Sequence, residues 1–346
     1  MKRRSRALAI ISAAVGLALF VYVIKQTGPA EIFARVRTLG VGFLLILAIS
    51  SSRYLSRSLA WLRCMTVEER RVGFWALWRA RLAGEAVGDL TFGPIVAEPL
   101  RLVALGGRLP LKAGISSLTV ENLAYIVSSC VMVMAGTIAL LATFALSESL
   151  RLAVIIALAA VFVIIAAAVI VVSRRWTLLS DLIAAVSHLV ARGDARTWID
   201  EKLGHLRTLE EYVFDFYARR PADFFLVALC ETGFHLAGVI EIYTTLRLAG
   251  SELTLATAFM LEAVNRALNI AFVFVPALVG VDEAGTGLLT QTLGLGATAG
   301  VALAIIRKIR MFCWIGLGLV FLAGNEPRRR EAARVTGVAD GQGGGQ

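Results

Sequence analysis

A succession of apolar runs, each about twenty residues long and separated by short clusters of arginine and lysine, constrains this chain more than anything else in it. A hydrocarbon core about 30 Å thick takes roughly twenty apolar residues of helix to cross, and the runs have that length. The chain is 58% hydrophobic and only 17% charged, where soluble proteins carry about a quarter charged residues. The fold class expected is an all-α polytopic membrane protein. Its 346 residues are taken up by roughly eight embedded segments, with no sizeable soluble domain. The net charge of +10 is dispersed in clusters between apolar runs. That distribution argues against a nucleic-acid partner and for topology signals and anionic headgroups. Cys64, Cys130, Cys230 and Cys313 are far apart and form no CxxC pair, so neither a disulfide framework nor a metal site is expected.

Taken in order, residues 8–24 follow the basic Lys2, Arg3, Arg4 and Arg6 and read as an uncleaved first span from a cytoplasmic amino terminus. Residues 40–60 form a second span, with Arg53 and Arg57 near its cytoplasmic end. Residues 75–112 are too polar for two spans and carry Gly93, Pro94 and Pro99 at their middle. Basic residues on both sides place both ends inside, so this segment reads as a broken re-entrant hairpin. Residues 113–146 go outward and 150–173 return to Arg174 and Arg175. Residues 174–222 carry Leu203, Leu206, Leu209, Val213 and Phe216 at helical spacing, the pattern of a cytoplasmic amphipathic helix. Residues 223–248 go out and 297–323 come back, followed by a disordered basic and Gly-rich tail over 324–346.

Between those last two spans, 254–296 is broken by Pro276, Gly280, Gly285 and Gly287 and carries Asp282 and Glu283 where bilayer depth is expected. Broken backbone at that depth must be buried in protein or line a polar cavity. With both termini cytoplasmic, the span count closes only if 254–296 enters and leaves on the outer side, opposite to 75–112. About six full spans plus two broken hairpins then form an inverted repeat, 40–146 and 223–323, within a single domain over 1–323. Ala113 and Gly114 followed by Glu121 align with Ala299 and Gly300 followed by Arg307, an acid matched by a base. Such repeats commonly build a substrate site between their halves.

Pro276, Gly280 and Glu283 followed by Arg307, with an earlier element running from Pro94 through Glu98 to Arg101, resemble the flippase-like integral membrane family named after the transmembrane region of lysylphosphatidylglycerol synthase. Ala97 stands where that family's first element has Gly, and Asn122 follows Glu121 where Arg is expected. The resemblance implies movement of a lipid. It does not imply aminoacylation, because the family's aminoacyl-transfer domain has no counterpart in the chain, and the departures imply a different headgroup.

Ionisable groups at bilayer depth are costly unless paired or hydrated, so several in one chain call for a shared polar environment. The expected headgroup path comprises Glu98, Arg101, Glu121, Glu262, Arg266, Asp282, Glu283, Arg307 and Arg310. Glu98 with Arg101 and Glu262 with Arg266 share helix faces and read equally as structural ion pairs. Arg307 and Arg310 have the fork geometry that suits phosphate. Glu231 and His235, at i,i+4, are a candidate proton relay. Asn265 and Asn269 read as interhelical hydrogen-bond formers, and Trp61, Trp75, Trp78 and Trp176 as interfacial anchors. No cofactor is expected. Without a nucleotide-binding motif, the reading favours a lipid transporter in a bacterial-type cytoplasmic membrane over an enzyme. A membrane-embedded enzyme acting on a headgroup and a scaffold of a lipid-synthesis complex are the alternatives. Expected partners are a membrane phospholipid or related lipid and either a second copy of the chain or a lipid-biosynthesis protein.

Overall fold

The computed structural model describes residues 37–143 except 38 and 92, scattered positions between 148 and 166, and residues 194–339 except 273–277, 279 and 280. The first span expected over 8–24, most of the return over 150–173, Arg174, Arg175, Trp176, Pro276, Gly280 and the last seven residues lie outside this set.

Among the described residues there are nine α-helices and no strand. They are α1 (Gly42–Cys64), α2 (Phe74–Gly88), α3 (Pro94–Ala104), α4 (Leu111–Thr143), α5 (Asp194–Arg219), α6 (Pro221–Leu248), α7 (Leu255–Ala271), α8 (Val281–Thr292) and α9 (Ala297–Ala339). Helices α4 and α6, at 33 and 28 residues, each contain an 18-residue stretch, of mean hydropathy 2.1 and 1.6, and are long and apolar enough to cross a membrane. Their flanks leave large apolar side chains such as Ile126, Val131, Ile138, Leu229 and Leu236 uncovered by protein. Lipid is the environment in which such faces are stable. At 1.5 Å per residue, α2, α3, α7 and α8 run from about 16 to about 26 Å, shorter than a 30 Å hydrocarbon core.

The 75–112 segment folds as two helices joined at a break. Gly93 takes φ +56°, which L side chains rarely adopt, and Pro94 opens α3 at its first position. The two limbs lie close enough that a Cβ on Gly84 would come within 2.6 Å of the Ala97 carbonyl oxygen. Ala97 and Gly84 are therefore small because backbone packs on backbone there.

Helix α1 lies along α6, α2 along α9, α7 along α4, and α8 along α9. Helix α5 lies within the segment expected to be amphipathic: Leu203, Val213 and Phe216 are buried, and Tyr212 donates to the Cys64 carbonyl at 2.8 Å. Burial pushes the Tyr212 phenol up, which keeps it a neutral donor. Arg220 donates to the carbonyls of Arg63 (2.9 Å) and Met65 (2.6 Å), which satisfies acceptors left open where α1 ends. One expectation is corrected: the stretch assigned to a disordered tail from 324 is helical to Ala339. Glu331, Ala332, Ala333 and the arginines before them are good helix formers that extend a helix already nucleated in the bundle.

The α2–α9 contact supplies a stability test. A Cβ on Gly318 would sit 2.2 Å from the Leu82 carbonyl oxygen, whereas Gly316 has nothing within 4 Å. Gly318→Ala should cost about 1–3 kcal/mol by overpacking, and Gly316→Ala should be neutral or stabilising by up to about 1 kcal/mol. Thermal unfolding of the two variants in the same detergent checks the contrast.

Candidate functional site

Seven helices, α1, α2, α3, α4, α6, α7 and α9, contribute side chains to a central cavity of about 410 Å³, with Asp282 joining from α8. Residues of both broken segments meet in it: Glu98 and Arg101 from α3, Asn265 and Arg266 from α7, and Leu278 from the second break. Leu278 has φ +48°, a strained value for a branched side chain.

The wall is built on acids that stand behind arginines. Glu121, fully buried on α4, is 2.7 Å from Arg57 Nη2 on α1 and 3.0 Å from Arg81 Nη2 on α2. Across the cavity, Glu241 on α6 accepts from Arg310 Nη1 at 2.6 Å and from Arg53 Nη1 at 3.3 Å. Glu262 on α7 is 2.6 Å from Arg266 Nη2 and 3.4 Å from Arg53 Nη2. Arg266 also donates to the Tyr125 hydroxyl at 3.0 Å, and the guanidinium of Arg57 stacks 3.8 Å from the Tyr125 ring centre. Every acid named here is nearly or wholly buried, so each would be costly without its arginine.

Several expected pairings take other partners. Glu98 and Arg101 do not pair. Arg101 reaches back across the hairpin to Glu85 at 2.6 Å, and Glu98 accepts from Asn122 at 2.7 Å. Helix α3 persists through both residues, but the close Gly84 contact places Arg101 against α2, nearer to Glu85. Glu262 and Arg266 form the expected i,i+4 pair. Asp282 and Glu283 meet the last helix, bonding Arg307 and Lys308 respectively. Thr286 Oγ1 also accepts from Arg307 at 2.8 Å. Glu121 and Arg307, aligned in sequence, thus have separate partners. Arg310 is engaged with Glu241.

Glu231 and His235 open elsewhere, onto a second cavity of about 790 Å³ between α4, α5 and α6, lined mainly by apolar residues such as Val127, Met132 and Leu236. His235 Nε2 lies 3.1 Å from Ser128 Oγ. Both Glu231 oxygens are buried without a hydrogen bond, and the nearest cation is Arg57, whose Nε is 3.9 Å away. Asn269 donates to the backbone carbonyl of Asn265 within its own helix, 2.7 Å, instead of bridging helices. Trp61 is not an interfacial anchor: it is fully buried and donates to Ser117 Oγ at 3.1 Å.

Sequence reasoning missed Arg53, Arg57, Arg81, Glu85 and Glu241. Arg53 and Arg57 read as the basic end of a span, although apolar residues continue on both sides. The available signal was spacing: Arg53 with Arg57 and Arg81 with Glu85 are both i,i+4.

Glu121 offers the sharpest electrostatic test. Glu121→Gln leaves Arg57 and Arg81 buried without their shared counter-charge, and should lower stability by about 3–5 kcal/mol. Denaturation in mixed micelles would detect a loss of that size, and an unchanged midpoint would mean that other acids carry the two arginines.

No curated protein and no solved structure matches the chain. Over residues 9–319 it matches the family described as "Lysylphosphatidylglycerol synthase TM region", a stretch that includes every residue lining the central cavity. The chain belongs to that family of multi-pass, lipid-handling membrane proteins.

Proposed function

We propose that the protein moves a polar-headed lipid across the bilayer through the central cavity, which lies between two inverted repeats, 40–146 and 223–323. The observation that carries this reading is one charged cavity, lined from both broken segments, inside helices whose outer faces are apolar. A headgroup crossing a hydrocarbon core needs such a polar route.

Support for the repeat comes from matched contacts. If α1 to α4 correspond to α6 to α9, the α2–α9 contact is mirrored by α7–α4, α2–α3 by α7–α8, and α1–α2 by α6–α7, while α1–α6 is its own mirror. The aligned glycines behave alike. A Cβ on Gly114 would sit 2.6 Å from Leu102 of α3, and one on Gly300 would sit 2.4 Å from the Thr286 carbonyl of α8. The ion pairs are mirrored with sign reversed, Arg57–Glu121 between α1 and α4 against Glu241–Arg310 between α6 and α9. Limbs too short to span favour re-entrant hairpins, and an inverted repeat would bring them in from opposite sides, with both termini cytoplasmic in a bacterial-type inner membrane.

Glu231 supports proton coupling. A buried carboxyl with no hydrogen bond, next to a cavity wall arginine, is a group able to carry a proton while the neighbouring ion pairs stay intact.

The direct test reconstitutes the full chain into liposomes containing fluorescently labelled phospholipid and follows bleaching by a membrane-impermeant reductant. Movement should exceed that of empty vesicles, and Arg266→Ala should slow it about tenfold or more. Bleaching no faster than in empty vesicles, for every labelled headgroup, would refute the transport reading. In the same vesicles an imposed pH gradient should change the initial rate, and Glu231→Gln should abolish that response. A gradient response that survives Glu231→Gln would assign the proton to another group.

A further inference from the structure

Eight basic side chains line the central cavity against four acidic ones: Arg53, Arg57, Arg81, Arg101, Arg266, Arg307, Lys308 and Arg310 against Glu85, Asp89, Glu98 and Asp282. Glu121, Glu241 and Glu262, which neutralise much of this charge, are absent from that lining. Cations therefore face the cavity, and several of their counter-ions stand behind them. A headgroup inside meets a positive surface even though the network as a whole is nearly balanced.

Arg81, Arg101, Arg266, Arg307 and Arg310 all keep buried donors without a hydrogen-bond partner; Arg81, Arg101 and Arg307 keep two each, and Arg81 Nη1 is 3.7 Å from Glu85, which leaves Arg101 and Arg307 with two donors to spare. Arg101 is tied to Glu85 through Nη2, and its Nε and Nη1 are buried with no hydrogen-bond partner. Arg307 repeats the pattern: Nη2 bonds Asp282 and Thr286, while Nε and Nη1 are buried and unpartnered. Both side chains are more than nine-tenths buried, and both line the cavity. Buried guanidinium donors without acceptors are costly. A tetrahedral oxyanion supplies acceptors in the geometry that such forks match.

We infer that the cavity takes a phosphate-bearing anionic lipid headgroup, held at the unpartnered edges of Arg101 and Arg307, and rejects cationic headgroups. This rests on the transport reading above and narrows its substrate class. A lysyl-esterified headgroup would place an ammonium group among guanidiniums, where like charges repel. Glu98 is the one acid on α3 that lines the cavity, and it lowers affinity for an anion.

Binding is read separately from transport by thermal stability of the purified full chain in detergent. The probes are dihexanoyl phosphatidate, dihexanoyl phosphatidylcholine, inorganic phosphate and lysine amide. Phosphatidate should stabilise saturably, at a half-saturating concentration at least about tenfold below that of phosphatidylcholine, and lysine amide should have no saturable effect. Arg101→Lys and Arg307→Lys keep a cation opposite Glu85 and Asp282 but lose the free edges, so each should weaken phosphatidate about tenfold. Glu98→Gln keeps an acceptor for Asn122, removes a charge and should tighten phosphatidate binding, which preserves a test if the lysine variants fail to fold. Equal half-saturation for phosphatidate and phosphatidylcholine, or unchanged phosphatidate binding in both lysine variants, would overturn the inference. Inorganic phosphate binding as tightly as phosphatidate would overturn the lipid source and leave a free-anion site. Phosphatidate bound through Arg101 and Arg307, with no lipid moved in vesicles, would refute transport alone. Transport without anionic preference would refute this inference alone.

Discussion

Glu121 holds Arg57 of α1 and Arg81 of α2 on a single buried carboxylate, and the centre of the bundle depends on that arrangement. Each of the three charges would be strongly unfavourable alone in a low-dielectric interior. Together they lock three helices at one depth. Glu241 does the same on the other side with Arg310 and Arg53, and because Arg53 also reaches Glu262 the second cluster ties α1, α6, α7 and α9. Apolar packing between helices has little driving force in lipid, whose chains are as apolar as leucine. The ionic clusters, with close contacts such as Gly84 on Ala97, therefore supply much of the specificity with which these helices find each other.

A cavity follows from the same physics. Asp89, Glu98 and Asp282, in or beside the broken segments, bring charge into the interior, where nothing apolar can cover it at low cost. Backing acids fix the arginine heads, and several heads keep buried donors that no acceptor in the protein meets. Under the proposed function, structural ion pairing and headgroup binding would be two uses of the same guanidinium groups, one edge for each. Arg101 and Arg307 show that division most plainly, with one nitrogen tied and two left open. Glu231 sits at the border between this polar centre and the apolar second cavity, within reach of Arg57.

Membrane character, the positions of the long helices and the break at Gly93-Pro94 were all legible in the amino-acid sequence, because span length, basic flanks and helix-breaking residues are local signals with a fixed physical meaning in lipid. The i,i+4 pair of Glu262 and Arg266 was legible for the same reason. Partner choice was not. Glu98 stands three residues from Arg101, yet the arginine crosses to Glu85. Arg53, Arg57 and Trp61 carried the marks of a span end and lie instead in the interior. Which cation meets which acid depends on how closely α2 folds on α3, how α1 lies along α6 and how α9 passes between the broken segments. Sequence spacing determined which charges share a helix face. The tertiary structure alone decided which faces meet, because buried charges pair with whatever opposite charge the packing brings within 3 to 4 Å.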